Sequence, residues 1–454
     1  MSEFSVAGRR VTVVGAARSG IAAAELLRAR GARVTLTDLR PAIDEGARLE
    51  RLGVTLALGG HPAGLFDRSD LIVLSPGVPG DRPDLARARA AGVPVIGELE
   101  LASRWLQGRV IAVTGTKGKS TTTALIGRIL QAGGRAAVVG GNIGVPLSAQ
   151  VAGSTASTIH VVETSSFQLE ETETFHPWIA VLLNFSTDHL DRHGTVEAYA
   201  AAKRRIFANQ TPADWAVVNA DDPAVLAMAA GGRAPVVRFA LDAPLADGFV
   251  VGDGWIVRVE RDAATPLVPL SAIHLIGRHL VNDVLAAVAV GTIAGVPAAA
   301  MTAAIDGFAG LEHAMERAGT VGRVRFVNDS KATNIEAARR AIESVERGLV
   351  PILGGRFKGG DFRGLRDALA GRARAVVAIG EAAPLVREAL GDLLPVHDAG
   401  SMDEAVRVAF EAAGPEGTVL LAPACASFDM FRDYAERGRR FKEAVARLAD
   451  PAGP

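Results

Sequence analysis

A glycine-rich turn between an apolar run and a helical pattern has the clearest chemistry in this sequence. Residues 110–113 read Val-Ile-Ala-Val, and residues 114–121 read Thr-Gly-Thr-Lys-Gly-Lys-Ser-Thr. Backbone N–H groups of such a turn, together with the N-terminus of the following helix, bind phosphate groups. A lone Gly-Lys-Ser turn can be an ordinary helix start, but the strand before it favours a compact P-loop. The P-loop residues are then Gly115, Thr116, Lys117, Gly118, Lys119, Ser120 and Thr121.

The P-loop side chains and two later segments could act together on a phosphate. Lys119 can reach the outer phosphates, and the hydroxyl of Ser120 or Thr121 can bind Mg²⁺. Glu163 directly follows the apolar run 160–162, and His189 lies in the polar segment 184–191 after the next run. The carboxyl ends of parallel strands lie at one edge of a sheet, so both side chains are expected near the P-loop. Glu163 is a natural Mg²⁺ ligand there. A lone histidine is more often structural, and His189 is a candidate only through its position.

The first segment has the pattern of a dinucleotide-binding turn that lacks one glycine. Residues 15–20 read Gly-Ala-Ala-Arg-Ser-Gly, and Asp38 follows the second apolar run. Ala17 replaces the glycine that lets the backbone approach a pyrophosphate, which argues against NAD. We expect a nucleotide diphosphate site here, with a plain turn between strand and helix as the alternative.

Three polar segments of the last third also follow apolar runs. Residues 327–334 read Val-Asn-Asp-Ser-Lys-Ala-Thr-Asn, a density of polar groups that suggests anion contacts. Lys358 lies in the glycine-rich segment 354–360, which suits a carboxylate substrate or a simple turn. Cys425 has no base beside it in sequence, so we expect a buried thiol and no nucleophile. Lys203 lies in an alanine-rich helical stretch, where the pattern predicts a solvated helix face.

These segments must be positioned by parallel sheets. Short Val/Ile/Leu-rich runs alternate with alanine-rich helical patterns along the chain, which predicts an α/β fold of βαβ units. The segment from about 239 to 270 is rich in Gly, Asp and Val and predicts small antiparallel strands, followed by a helix over 279–293. We predict three domains, over residues 1–94, 95–308 and 309–454. The first and last are Rossmann-like, and the central one combines a P-loop parallel sheet with a small antiparallel sheet.

The composition argues against several classes of protein. The 454 residues carry 49 Lys and Arg against 50 Asp and Glu, with no basic block, so a nucleic-acid partner has no electrostatic support. No window reaches the length of an uncharged membrane span, and no apolar leader precedes the first strand. A single cysteine excludes an intrachain disulfide and fits a reducing compartment. We expect a globular cytoplasmic protein that contacts neither nucleic acid nor membrane.

Taken together, the motifs resemble those of the Mur ligase family over the whole chain. The P-loop is shared with all Mur ligases and with folylpolyglutamate synthases. Residues 140–144 (Gly-Gly-Asn-Ile-Gly), 163–170 (Glu-Thr-Ser-Ser-Phe-Gln-Leu-Glu) and 328–334 are closer to the branch that adds D-glutamate. Residues 423–429 (Pro-Ala-Cys-Ala-Ser-Phe-Asp) support the same branch. The resemblance implies an ATP-dependent amide ligase acting on UDP-N-acetylmuramoyl-L-alanine and D-glutamate, both small molecules, and working as a monomer in peptidoglycan precursor synthesis.

The resemblance also implies roles for individual residues. Lys119, Glu163, His189 and Lys203 would be catalytic, with Ser120, Glu163, His189 and an N-carbamylated Lys203 holding two Mg²⁺ ions. ATP would further contact Asn282, Asp283, Asp329 and Lys331. The UDP substrate would contact Arg18, Ser19, Asp38, Leu39, Arg40, Ser75, Gly77, Asn142 and Ser165. D-Glutamate would contact Thr333, Lys358, Ser427 and Phe428.

The sequence departs from the family pattern at four positions. Leu280 and Asp283 occupy the two asparagine positions of the nucleotide-binding helix motif, which here begins at Gly277. Ala314 replaces an arginine expected near the γ-phosphate, for which Arg317 is a candidate substitute. Lys117 stands where asparagine is common. These changes affect adenine recognition and phosphate binding rather than the class of reaction.

The resemblance leaves two alternatives. One is another Mur-type or folylpolyglutamate-type ligase, against which residues 165–168 and Lys358 favour D-glutamate. The other is a non-catalytic, nucleotide-dependent regulatory protein on the same scaffold, which the altered helix motif keeps open. A dehydrogenase is disfavoured by Ala17 and by the P-loop.

Overall fold

The computed structural model describes residues 4–261, 263–274, 279–345 and 348–450. Gly277, which begins the helix motif named above, lies outside these residues. The chain divides into two compact units, of which the first contains the described residues up to Ile273 and from His279 to Gly307, and the second contains His274 and the described residues from Phe308 onward. The first unit contains two sheets and the second contains one. The predicted α/β fold is therefore confirmed, while the predicted domain boundaries stay a prediction.

The first sheet is wholly parallel and has the strand order β3-β2-β1-β4-β5. Its order reverses beside β1, so the loops after β1 and β4 face a crevice at the carboxyl edge. Gly20 is required in the first turn, because a Cβ atom there would overlap the carbonyl oxygen of Gly15. The strands are β1 Arg10–Val14, β2 Arg33–Asp38, β3 Thr55–Leu58, β4 Leu71–Leu74 and β5 Val95–Gly97. The helices are α1 Arg18–Ala29, α2 Gly46–Arg51, α3 Pro83–Ala90 and α4 Glu98–Ser103.

The second sheet has nine strands in the order β14-β13-β12-β11-β10-β9-β6-β8-β7. Six strands, β6 to β11, are parallel, and β12 joins their edge by one parallel pair, Phe239 with Phe249. The predicted antiparallel strands β12 to β14 thus extend the parallel sheet. The strands are β6 Arg109–Thr114, β7 Ala137–Gly141, β8 Ile159–Glu163, β9 Ile179–Leu182, β10 Trp215–Asn219, β11 Val236–Phe239, β12 Asp247–Gly252, β13 Trp255–Glu260 and β14 Ala263–Pro269.

Helices cover this sheet because its central strands are apolar on both faces, as parallel sheets require. Short 3₁₀ turns lie at Val151–Gly153, Arg205–Phe207 and Leu270–Ala272. The helices are α5 Lys119–Ala132, α6 Leu147–Gln150, α7 Ser166–Glu170, α8 Leu190–His193, α9 Val196–Arg204, α10 Pro223–Ala229, α11 His279–Ile293 and α12 Ala298–Asp306.

The second unit has one six-stranded sheet in the order β15-β16-β20-β17-β18-β19. All neighbours are parallel except the edge pair β15 with β16. The strands are β15 Glu316–Val321, β16 Val324–Asn328, β17 Leu349–Gly354, β18 Val376–Ile379, β19 Val396–Ala399 and β20 Thr418–Leu421. The helices are α13 Ile335–Glu343, α14 Arg366–Leu369, α15 Ala383–Leu390, α16 Met402–Ala413 and α17 Tyr434–Ala449, with a 3₁₀ turn at Phe362–Leu365.

Each sheet is covered by hydrophobic clusters. One cluster of the first unit joins Leu26 of α1 with Leu99 of α4 and Leu147 of α6, so the two sheets of that unit share a core. In the second unit, separate clusters lie on the two faces of the sheet. Among the described residues, no helix combines the length and the apolar character needed to cross a membrane.

Candidate active site

The P-loop connects β6 to α5. Gly118 stands before the helix with φ +78°, and a Cβ atom there would overlap the Asp283 carboxyl group of α11. Both observations require glycine at this position. The turn thereby brings the backbone N–H groups and the N-terminus of α5 to the carboxyl edge of the sheet, where they can bind phosphate.

Asn184, which follows β9, holds the P-loop backbone in place. Its carboxamide oxygen accepts hydrogen bonds from the N–H groups of Thr116 (3.1 Å) and Lys117 (2.8 Å), and its Nδ2 donates to the Lys117 carbonyl oxygen (3.1 Å). The Thr116 hydroxyl donates to the Ser186 carbonyl oxygen (3.2 Å). The sequence placed Asn184 in a polar segment at a strand end but gave no sign of this contact with the P-loop.

Two lysines converge on the P-loop carbonyl groups. Lys119 Nζ donates to the carbonyl oxygens of Gly115 and Thr116, both at 3.0 Å, and Lys203 Nζ donates to the Gly115 carbonyl oxygen at 2.7 Å. Lys203 is 1% exposed, so the prediction of a solvated helix face was wrong. An alanine-rich helix carries little polar pattern, and the helix buries this face against the P-loop. Burial, with the nearby Lys119 charge, lowers the pKa of Lys203 to about 7.

Glu163 ends β8, the strand beside the P-loop strand β6, with Glu163 in register with Val113. Its side chain is buried, and Oε1 accepts a hydrogen bond from Asn142 Nδ2 at 2.7 Å. Among the described residues, Glu163 Oε2 has no hydrogen-bond partner. A buried carboxylate oxygen without a partner fits a magnesium ligand. Among the described residues, no three His, Cys, Asp or Glu side chains lie close enough together to hold a metal ion by themselves.

His189 directly precedes α8 and has the left-handed conformation (φ 54°). Its ring lies 5.1 Å from the Phe167 ring and 6.1 Å from the Tyr199 ring, centre to centre. The Tyr199 ring also lies 4.7 Å from Lys203 Nζ. Arg192 stacks on Phe167 at 4.9 Å and donates to the Val78 carbonyl oxygen at 3.0 Å. This aromatic group connects the segments that carry Glu163, His189 and Lys203.

Asp38 organises the carboxyl edge of the first sheet. Its Oδ2 accepts from the Ala16 N–H at 2.6 Å, and its Oδ1 accepts from the N–H and guanidinium of Arg40 (2.9 and 3.1 Å). The Arg40 guanidinium lowers the pKa of Asp38 to about 2. Leu39 is 67% exposed beside them, so its side chain is accessible to a ligand.

The other residues assigned to the UDP substrate lie around the same crevice. Ser75 and Gly77 follow β4, the strand beside β1. Arg18 and Ser19 open α1, and the Arg18 guanidinium bonds to the Gly144 carbonyl oxygen in the loop after β7. Ser165 caps α7 in a capping box with Gln168. The Arg18 contact thus joins the first helix to the loop after β7, within one compact unit.

Asp283 and Asn282 are both placed beside α5 rather than on an open surface. Asp283 is 3% exposed, and neither its Oδ2 nor Asn282 Oδ1 has a hydrogen-bond partner among the described residues. Burial raises the pKa of Asp283 well above its usual range. The side chain assigned to adenine therefore lies against the P-loop glycine, and its contact with adenine stays a prediction. Leu280 lies in the first turn of the same helix.

Asp283→Asn is expected to stabilise the protein at neutral and alkaline pH. A carboxyl group whose folded pKa is raised contributes stability that is present at low pH and is lost as pH rises through that pKa. The neutral amide avoids burying a charge, and since an unsatisfied buried group costs on the order of 1–3 kcal/mol, or more when it is charged, a gain of that order is expected near about pH 8. Chemical denaturation at about pH 5 and about pH 8 measures the difference. The exposed Asp44→Asn is the control, and equal effects of the two substitutions would contradict the prediction.

The candidate residues of the second unit lie at the ends of three neighbouring strands. In the sheet, Asn328 of β16 and Ile352 of β17 are both paired with Leu421 of β20, the strand between them. The loops after these strands therefore lie side by side. Asp329, Lys331 and Thr333 follow β16, Lys358 follows β17, and Ser427 and Phe428 follow β20.

The side chains of these candidate residues differ in solvent exposure, which the sequence did not predict. Phe428 is 59% exposed, whereas Ser427 is 2% exposed beneath it. Burial raises the pKa of Asp329 to about 6, and its Oδ1 accepts from the Met315 N–H at 3.2 Å. Burial also raises the pKa of Cys425 to about 12, as expected for an unreactive buried thiol. Lys331 and Lys358 are exposed.

Ala314 follows a buried histidine. The His313 ring is hydrogen-bonded through Nδ1 to Asn328 Nδ2 at 2.9 Å, and Asn328 Nδ2 also donates to Glu316 Oε2 at 3.0 Å. Arg317 is exposed on β15. Its use as a phosphate contact in place of the missing arginine stays a prediction.

Three family models match this chain. The N-terminal domain of MurD-like Mur ligases matches residues 9–97, the Mur ligase middle domain matches 113–291, and the Mur ligase glutamate ligase domain matches 315–425. The UDP-N-acetylmuramoylalanine–D-glutamate ligase of Acidobacterium capsulatum is 48% identical over 444 residues, covering 96% of both chains. The ligase of the same name from Koribacter versatilis is 44% identical and covers 98% of this chain and 99% of its own.

Solved structures share the architecture. UDP-N-acetylmuramate-alanine ligase from Thermotoga maritima superposes with a TM-score of 0.59 at 21% identity, over 96% of this chain and 99% of that one. A pseudomurein peptide ligase type C from Methanothermus fervidus gives a TM-score of 0.57 at 18% identity, over 97% of this chain and 100% of that one. At these identities the likeness establishes the fold.

Proposed function

Because this chain belongs to the Mur ligase family, we propose that it joins D-glutamate to UDP-N-acetylmuramoyl-L-alanine at the expense of ATP. The observation that carries this proposal is the pair of buried groups at the P-loop, Glu163 and Lys203, beside Lys119. Relatives that bear the name UDP-N-acetylmuramoylalanine–D-glutamate ligase match the chain over nearly its whole length, which supports the choice of substrates.

The proposed reaction has two steps. The terminal carboxylate of UDP-N-acetylmuramoyl-L-alanine attacks the γ-phosphorus of ATP, forming an acyl phosphate and releasing ADP. The amine of D-glutamate then attacks the acyl carbon, loses a proton, and expels phosphate from the tetrahedral intermediate to give the amide. Lys119 offsets the repulsion between the carboxylate and the triphosphate in the first step. Exclusion of water protects the acyl phosphate from hydrolysis.

Two magnesium ions are proposed at the P-loop. Ser120 and Glu163 would hold one ion, and His189 and a carbamylated Lys203 would hold the other. Bound there, Mg²⁺ would neutralise negative charge on the phosphates. The partner-free Oε2 of Glu163 is the group whose position suits this role most directly. Asn142, which bonds to Glu163 Oε1, orients the carboxylate.

Carbamylation of Lys203 is proposed on chemical grounds. The lone pair of an uncharged amine attacks CO₂, a C–N bond forms, and loss of one proton leaves a carbamate. With a pKa of about 7, a large fraction of the Lys203 amine is uncharged near neutral pH, in contrast to an ordinary lysine. A carbamate has the oxygen ligands that Mg²⁺ prefers, whereas an ammonium group would repel the ion.

The remaining roles follow the grouping of residues in space. The crevice around Asp38, Leu39 and Ser75 would hold the UDP end of the substrate. The loops after β16, β17 and β20 would supply Asp329 and Lys331 to ATP and Thr333, Lys358, Ser427 and Phe428 to D-glutamate. We propose that the protein works as a cytoplasmic monomer on small molecules.

Phosphate release tests the proposal. Purified protein is supplied with ATP, Mg²⁺ and UDP-N-acetylmuramoyl-L-alanine, and D-glutamate, L-glutamate and D-alanine are compared as acceptors. We expect release that depends on D-glutamate and an amide product of matching mass. Release with another acceptor, or with a folate and L-glutamate, would identify a different ligase of this type. ATP binding without turnover on any acceptor would favour a regulatory protein.

A further inference from the structure

Arg437, on α17, carries a fully buried guanidinium group that the proposed reaction does not use. Among the described residues, it ranks first by volume of the side chains with almost no exposure. Burial lowers its pKa, but only to about 10, so it remains charged near neutral pH. Burying a charge is unfavourable unless hydrogen bonds compensate for the lost water. The contacts of the guanidinium group therefore indicate which segments its burial holds in place.

Its hydrogen bonds go to two of the loops that carry candidate ligand contacts. Nε donates to Ser330 Oγ at 3.0 Å, and Nη2 donates to the Ser330 carbonyl oxygen at 2.9 Å. Nη1 donates to the Cys425 carbonyl oxygen at 3.1 Å. Ser330 lies between Asp329 and Lys331, and Cys425 lies two residues before Ser427. One rigid, planar group thus fixes the spacing of the loops after β16 and β20.

The third loop is packed against the same group. A Cβ atom on Gly355 would lie 3.3 Å from Arg437 Nη1, so the chain passes close to the guanidinium there. Backbone hydrogen bonds then connect this loop to its neighbour, with Arg356 and Ala426 exchanging bonds of 2.9 and 3.0 Å. Ala424 N–H also donates to the Ala332 carbonyl oxygen at 2.9 Å. All three loops meet around one buried cation.

We propose that Arg437 is a positioning residue for the D-glutamate site, setting the distance between Thr333, Lys358 and Ser427. This inference rests on the proposed function, which places D-glutamate at these three loops. Arg437 acts through the backbone of the loops and does not itself need to touch the substrate. A lysine in its place keeps the charge but cannot donate in three directions from one plane.

Steady-state kinetics with each substrate varied in turn tests the proposal. Arg437→Lys is expected to lower kcat/KM for D-glutamate by about 10–100-fold, mainly through KM, as misplacement of binding groups does. The KM for UDP-N-acetylmuramoyl-L-alanine, whose proposed contacts lie in the first unit, should change by less than about twofold. Ser330→Ala removes the acceptor of Nε and also the hydrogen bond that Ser330 Oγ donates to the Tyr434 carbonyl oxygen at 2.7 Å, and it should shift the D-glutamate KM in the same direction by less. It provides a second test if Arg437→Lys folds poorly.

Arg440→Lys is the matched control. Arg440 lies on the same helix but is exposed, and it pairs with Glu443 at 3.2 Å. Thermal unfolding of each variant shows whether a change in KM comes from a destabilised fold or from misplaced binding groups. If the KM values for all substrates move together with Tm, or if Arg437→Lys and Ser330→Ala behave like the control, Arg437 is only structural. If the wild type shows no release dependent on D-glutamate, the proposed function itself fails.

Discussion

Lys119→Ala is expected to lower kcat by about 10³-fold or more, the range seen when a charge aimed at a transferring phosphoryl group is removed. The Lys119 ammonium group is held above the P-loop by the carbonyl oxygens of Gly115 and Thr116. From there it faces the phosphates that a P-loop binds, where negative charge accumulates as the carboxylate approaches. Its loss removes stabilisation that is greatest in the transition state, so kcat should fall more than ATP affinity.

The measurement is phosphate release under saturating substrates, with ATP affinity measured separately by titration. Lys442→Ala serves as the control, because Lys442 pairs with Glu312 and Glu316 in the second unit and belongs to no candidate site. Circular dichroism would verify that both variants are folded. A kcat near that of the wild type in Lys119→Ala would rule out phosphoryl transfer at this P-loop.

Lys203→Ala is expected to lower kcat by about 10²–10³-fold, corresponding to the several kcal/mol that a positioned metal ion supplies. The side chain is buried against the Gly115 carbonyl oxygen and the Tyr199 ring, so its removal leaves a confined space beside the P-loop. Short carboxylates such as formate or acetate can enter that space and supply oxygen ligands. Added at millimolar concentration, they should restore part of the activity if the native ligand is a carbamate.

Arg204→Ala is the matched control on the same helix, because Arg204 is exposed and its guanidinium donates to the Ala230 carbonyl oxygen at 3.5 Å. Carbon-13 NMR after labelling with ¹³CO₂ should show a carbamate signal in the wild type and in Arg204→Ala but not in Lys203→Ala. At fixed CO₂ pressure the signal should grow as pH rises through about 7, since only the uncharged amine reacts. Absence of both the signal and the rescue would exclude carbamylation.

The fold could be read from the sequence at most of the strands that are fully buried. The runs that became β1, β4, β6 and β8 are mostly apolar, because both faces of a parallel sheet are covered. Besides β10 and β11, which lie inside the second sheet, the sequence did not single out three strands, β3, β15 and β19, which are at the edges of their sheets. Each is largely half-buried or exposed, so its side chains carry no strong apolar pattern.

The candidate site could be read only in part, and for a physical reason. The P-loop is local, since its glycines, lysine and hydroxyl groups act within one turn, and the sequence alone determined it. Glu163 and Asp38 could be placed because the carboxyl ends of parallel strands share an edge. Lys203, Asn184 and Arg437 could not be placed, because their roles depend on contacts with residues distant in the chain. Lys203 has the sequence context of a solvated lysine, and only packing against the P-loop buries it.

The sequence by itself therefore determined the α/β architecture, the phosphate-binding turn and the resemblance to Mur ligases, since all three are expressed in local patterns of residue type. The tertiary structure alone decided which charges are buried and what they contact. It placed Asp283 against the Gly118 backbone, lowered the pKa of Lys203 to about 7, and surrounded Arg437 with three loops. Burial and electrostatic interaction depend on distances between segments that are remote in sequence, and only the folded chain fixes those distances.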